Sequence, residues 1–164
     1  MKIEDFFNQQ NVIELSFFNF ENAITAAYFA RENLEIVRVN DNFRKFFPVL
    51  GNVSNAYFPD VLVQLGMSVE QVEQFVRDIN EKGWVLIPKV PINMDGKEKI
   101  YSLLSTRTRN DSFSYLNGVQ GQFVDRTEEW ALRREREDLL EQKIRDRELI
   151  EEKTKQLENL ATRL

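Results

Sequence analysis

The 164 residues, 42% hydrophobic and 12% aromatic, suffice for one real core and are too few for two full domains. A net charge of -5, with no basic stripe interleaved with aromatics, leaves no footprint for a phosphate backbone, so nucleic acid is not an expected partner. Cysteine and histidine are both absent, which removes disulfides, thiolate zinc sites, cysteine nucleophiles, imidazole bases and histidine-ligated haem.

In chain order, Ile3, Phe6 and Phe7 suggest a short amphipathic N-terminal helix. Residues 1–10 lack the basic region and apolar run of a signal peptide, and no stretch approaches the ~20 apolar residues of a membrane span. A cytoplasmic chain with no membrane partner is the expectation. Asn22 to Ala30 reads as a strand, turned at Glu32-Asn33, where Asn tolerates left-handed geometry, with Leu34 to Val39 as its hairpin partner. Asp41 to Phe47 and the ground up to Leu65 carry short helical turns broken by Pro48, Gly51 and Pro59. Ser68 to Glu81 has a Ser N-cap, apolar residues at helical spacing and a stop at Gly83. Trp84 to Ile92 reads as a strand whose Pro88 and Pro91 cannot donate to a ladder, so it belongs at an edge or bulge. Asp95-Gly96 turns it into Lys97 to Arg109; Asn110-Asp111-Ser112 turns again, and Tyr115 to Val124 closes the sheet.

Composition shifts between Asp125 and Glu128. All 13 Phe, six Gly and four Pro precede this point; the 37 residues after Thr127 hold none of them and 20 charges, 9 basic and 11 acidic. Pairs such as Glu141 with Arg145 stand in the favourable i,i+4 order, so this stretch reads as one long helix. The expected organisation is an N-terminal helical cap over 1–19, an α+β domain over 20–127 and a signalling helix over 128–164.

The element order, with Val39-Asn40-Asp41-Asn42-Phe43, Met94-Asp95-Gly96-Lys97 and Phe123-Val124-Asp125-Arg126-Thr127-Glu128-Glu129, resembles the PAS family at its strand-end VNxxF, its DG hairpin and its closing DIT-E motif. The resemblance implies a five-stranded antiparallel sheet flanked by short helices, and it implies for Asp125 and Thr127 a role in coupling sensor to output helix. On physical grounds alone, either residue is placed to cap the first helical turn.

PAS domains often hold a ligand between sheet and helices. A ligand here would be lined by Tyr57, Phe58, Trp84, Tyr101, Leu103 and Phe123, with Arg107 meeting an acid group, while each aromatic also has a plain core role. A cysteine-adduct flavin is impossible. Gly118-Val119-Gln120 resembles the strand whose Gln reads the flavin in light sensors, without the neighbouring flavin motifs, so the cofactor stays unassigned and none is expected. Asn40 reads as a strand-end hydrogen-bonding residue. No acid-base pair, phosphate loop or metal cluster is recognisable, and the chain is read as a regulatory fragment, not an enzyme.

A heptad seam over the long helix runs Leu132, Arg136, Leu139, Lys143, Asp146, Ile150, Lys153, Leu157, Leu160 and Leu164, with the apolar positions Leu132, Leu139, Ile150, Leu157 and Leu164 carrying a homodimer by parallel coiled coil. The 11-residue gap from Leu139 to Ile150 signals a register shift or a hendecad. Glu152 to Leu164 resembles the segment before the catalytic domain of class III adenylate and guanylate cyclases, which implies such an output domain in cis. A histidine kinase output, its phosphoacceptor helix lying after Leu164, and a ligand-free PAS dimerisation module are the alternatives.

Overall fold

A computed structural model describes residues 18–109, 111–112, 114 and 117–163. The elements are β1 (Ala26–Ala30), β2 (Ile36–Val39), α1 (Asp41–Phe46), a 3-10 turn (Pro48–Leu50), α2 (Phe58–Gln64), α3 (Val69–Glu81), β3 (Trp84–Met94), β4 (Lys97–Thr108), β5 (Gly118–Asp125) and α4 (Thr127–Thr162). Two compact units result, one ending at Arg126 and one beginning at Thr127.

The first unit holds an antiparallel sheet in the order β2-β1-β5-β4-β3. Residues alternate between its two faces, and one face takes Ala26, Tyr28 and Ala30 of β1 with Val119 and Phe123 of β5, all 0% exposed. Phe43, Phe58, Phe75 and Ile79 of the three short helices join them in one core cluster. Helix α3 shows why the local signals succeed: Ser68 and Gln71 form a reciprocal capping box, and Val72, Phe75 and Ile79 recur on the buried stripe. The Asp95-Gly96 turn has both residues left-handed, φ 52 and 78, the geometry a two-residue hairpin of this hand requires. Pro88 lies in a register irregularity between Ile87 and Val90, and β3 is an edge strand, which accommodates both prolines.

Several boundaries differ from expectation. Strand β1 starts at Ala26 and not at Asn22, because the carbonyls of Phe20 and Thr25 are held by Asn40 Nδ2 at 3.1 and 2.9 Å and the Asn22 amide bonds Phe18 O at 3.0 Å. The left-handed residue of the first turn is Leu34, φ 71, and not Asn33. That geometry buries the Leu34 side chain (3% exposed) and aims its carbonyl at the Phe58 amide, 2.8 Å away. Pro59 does not break a helix; it stands in the first turn of α2, where its missing N-H costs nothing. Strand β3 runs on to Met94, and β5 covers Gly118–Asp125. The expected N-terminal helix, Asn110, Tyr115 and Leu164 lie outside the described residues.

The second unit is α4, 36 residues with none buried, and within it the Arg133 guanidinium lies 4.7 Å over the Trp130 ring. Among the described residues no helix is long and apolar enough to cross a membrane.

Candidate functional site

The space between sheet and helices is occupied by aromatic rings. Phe47, just past α1, packs edge-on against Phe43, Tyr101 and Phe123 with centroids 5.2, 5.2 and 5.0 Å apart. Phe58 stacks on Tyr28 at 3.9 Å and tilts against Phe123 at 6.3 Å. Tyr101, Leu103 and Phe123 therefore do come together, at no more than 1% exposure, as neighbours on β4 and β5 with Leu103 paired to Phe123. Burial, with Asp125 beside it, pushes the Tyr101 phenol up to about 12.

Tyr57 and Trp84 do not join them, which corrects the expectation for both. Tyr57 caps the start of α2, where its neighbour Phe58 takes the interior place, and Tyr57 stays 41% exposed. Trp84 is out of phase with the sheet's inner face: Val85 points in, and Trp84 is 52% exposed on the other side. Tyr57 lines a surface groove of about 530 Å³ between α2 and α3, with Val63, Val69 and Val76.

Arg107 stands apart from the rings, at the far end of β4. Its guanidinium donates to Asn80 Oδ1 at 2.9 Å and to the Glu32 carbonyl at 3.4 Å, tying the end of α3 to the first turn. Its Nε is buried and finds no hydrogen-bond partner among the described residues. Gln120, compared above with a flavin-reading residue, is exposed on the outer face, because Val119 and Gly121 hold the inward positions of β5. Among the described residues no cluster of three acidic side chains is placed to hold a metal ion.

Sequence reasoning missed one buried polar contact. The Tyr28 hydroxyl and Ser105 Oγ lie 2.5 Å apart, and both residues are fully buried. Between them on β5 is Gly121, paired with each. An isolated glycine inside a strand pattern signals close approach of other atoms, and Gly121 carried that signal.

Asn40 is the hinge of the first motif. Its Oδ1 accepts from the Phe43 amide at 3.0 Å, capping α1, and from the Ala27 amide at 2.9 Å. At the end of the sheet, Asp125 closes β5 with an ion pair to Lys99 at 3.9 Å, the Arg126 amide bonds Ile100 O at 2.7 Å, and Thr127 begins α4. Along α4 the seam residues Leu132, Leu139, Ile150 and Leu157 are 59 to 67% exposed.

No protein-family model and no curated protein matches the sequence. Solved structures do. The PAS domain of Bordetella pertussis BvgS is 18% identical, with a TM-score of 0.54 over 82% of this chain and 98% of that one. The chain has the PAS fold. A PAS domain from Colwellia psychrerythraea is 11% identical, with a TM-score of 0.50 over 71% of this chain and 98% of that one. An RNA-binding Light-Oxygen-Voltage receptor is 18% identical, with a TM-score of 0.57 over 83% of this chain and 38% of its own length. The VNxxF motif of the PAS fold is thus explained here by chemistry: Asn40 caps, and Phe43 enters the core at 2% exposure.

Proposed function

We propose that this chain is a regulatory PAS sensor that pairs with a second copy through α4 as a parallel coiled coil and passes its state along that helix to an output domain in cis. The observation that carries the reading is a PAS-fold unit continued, after Arg126, by a 36-residue helix on which every seam leucine and isoleucine described is exposed. A lone helix in water gains nothing from such a stripe, whereas a second copy buries it at roughly 25 cal/mol per Å². Charged Lys143 and Asp146 within the seam weaken it and suit two packings of similar energy, which a sensor can bias. Asp125 and Thr127, on either side of the strand-to-helix join, are the coupling residues of this reading.

The chain is in this reading not itself an enzyme. The likeness of Glu152 to Leu164 to the segment preceding class III cyclase domains favours a nucleotidyl cyclase output over a histidine kinase. A ligand-free dimerisation module is the second reading, favoured by the rings that pack between sheet and helices. Light scattering of the purified chain is expected to give about twice its 19.4 kDa mass, and a monomer throughout the micromolar range would overturn the dimer. Retention of a small molecule after purification, read by mass spectrometry, would decide for the sensor over the ligand-free module.

A further inference from the structure

Helix α3 is apolar over a wider face than the core uses. Val72, Phe75 and Ile79 enter the core, and a second row at spacing i, i+3 and i+7, formed by Val69, Val72 and Val76, lines the groove shared with α2. Tyr57 at the start of α2 and Val63 within it complete the apolar walls of this groove of about 530 Å³. Tyr57, Val63 and Val69 are 41, 45 and 62% exposed. A single exposed apolar side chain is ordinary, whereas several converging on one concave surface mark a contact site. The rim is acidic: Asp60 and Glu73 line it, and among the described residues their carboxylates form no ion pair or hydrogen bond. The cation among the lining residues, Arg77, is held by Gln74 Oε1 at 2.8 Å, and α3 as a whole carries Glu70, Glu73, Asp78 and Glu81 against that one Arg.

We propose that this groove docks a short amphipathic helix of a partner protein, apolar on one face and flanked there by Lys or Arg. The walls are helices, whose backbone groups are spent internally, so an occupant must satisfy its own backbone; a helix does so and an extended strand does not. The 13 residues of α3 run about 20 Å, enough to hold side chains from two to three turns of such a helix. The valines and Tyr57 supply the apolar contact, and Asp60 and Glu73 select the cations beside it, which governs partner choice and encounter rate more than affinity. A second copy of this chain has the wrong charge for the place: residues 1–17 hold Lys2 against Glu4, Asp5 and Glu14, and the 37 residues after Thr127 hold 9 basic against 11 acidic. The groove lies wholly within the first unit, so this contact is separate from the α4 pairing proposed above and gives the PAS unit a partner in trans.

The test is fluorescence anisotropy of labelled synthetic peptides against the full chain. The probe is an amphipathic helical peptide with Leu at i, i+3 and i+7 flanked by Lys; its controls are a scramble of the same composition and a version with Glu in place of Lys. The probe is expected to bind at least about ten-fold more tightly than either control, and to weaken as salt is raised. Glu73→Lys is expected to cost at least about ten-fold in probe affinity. Glu98→Lys makes the same change of net charge at an exposed site near the Asp95-Gly96 turn, and is expected to cost no more than about two-fold. Val63→Ser and Val69→Ser, both at exposed positions, are expected to weaken the probe while circular dichroism stays that of the parent. Equal losses from Glu73→Lys and Glu98→Lys overturn the proposal, because the peptide then reads net charge alone. So does a scramble that binds as tightly as the probe, or binding that Leu157→Asp abolishes and Glu73→Lys does not, since the peptide then sits on α4.

Discussion

Tyr28 and Ser105 hydrogen-bond across a strand that lies between them. Tyr28 is on β1 and Ser105 on β4, and the β5 residue separating them, Gly121, has no side chain to obstruct the 2.5 Å contact. A Cβ there would stand 2.5 Å from Ser105 Oγ and 2.6 Å from both the Leu104 carbonyl oxygen and Tyr28 Cε1. One of those atoms is backbone, so rotamer changes alone do not clear the space. Gly121→Ala is expected to destabilise the fold by about 1–3 kcal/mol, the range for an overpacked core, read as a fall in the urea midpoint at constant slope.

The same pair sets an alkaline limit. Burial raises the Tyr28 phenol well above its ordinary value, the bond to Ser105 only partly opposing it, and raises Tyr101 to about 12. Both groups thus bind their protons more tightly folded than unfolded. Their contribution is fully present below about pH 10 and is lost as pH rises through the folded values, at up to about 1.4 kcal/mol per pH unit for each tyrosine. Absorbance at tyrosinate wavelengths is expected to show Tyr28 and Tyr101 ionising only together with loss of far-ultraviolet circular dichroism. Ionisation of Tyr28 and Tyr101 near pH 10 with the circular dichroism of the folded protein intact would contradict this.

Asn40 joins three segments through one amide, and the two halves of that amide are separable. Asn40→Ala removes the cap of α1 and leaves the buried Ala27 amide without its partner, for a loss of roughly 2–4 kcal/mol. Asn40→Asp keeps the acceptor and replaces the donor with a carboxylate oxygen facing the Phe20 and Thr25 carbonyls. It is expected to be at least as destabilising as Ala at pH 7 and to recover in part on acidification, when the carboxyl regains a donor. A thermal melt series at pH 4 and pH 7 checks the sign.

For α4, Lys143→Leu with Asp146→Leu extends the apolar seam between Leu139 and Ile150 and is expected to raise the melting temperature of the dimer by several degrees, while Leu157→Asp weakens association. Neither change alters a buried residue, since all these positions are exposed on α4. Sedimentation equilibrium at several concentrations separates the two effects. A double leucine variant that associates no more tightly than the parent would count against a seam through those positions.

The sequence by itself determined whatever rests on contacts a few residues long. Ser68 with Gln71, the Asp95-Gly96 turn, the two edge prolines of β3, the cap at Asn40 and the 36-residue α4 are all set by local chemistry. The change of composition after Asp125 marks the join for the same reason. Only the tertiary structure decided which member of an adjacent pair entered the core: Phe58 and not Tyr57, Val85 and not Trp84. In a strand a slip of one residue exchanges the two faces, and at a helix start the entry angle decides; neither is set by neighbours in the chain. Leu34, rather than Asn33, takes the left-handed place because packing its side chain and receiving the Phe58 amide outweigh local preference. The Tyr28 and Ser105 contact joins residues 77 positions apart, and it exists only because sheet order sets β5, with Gly121, between them.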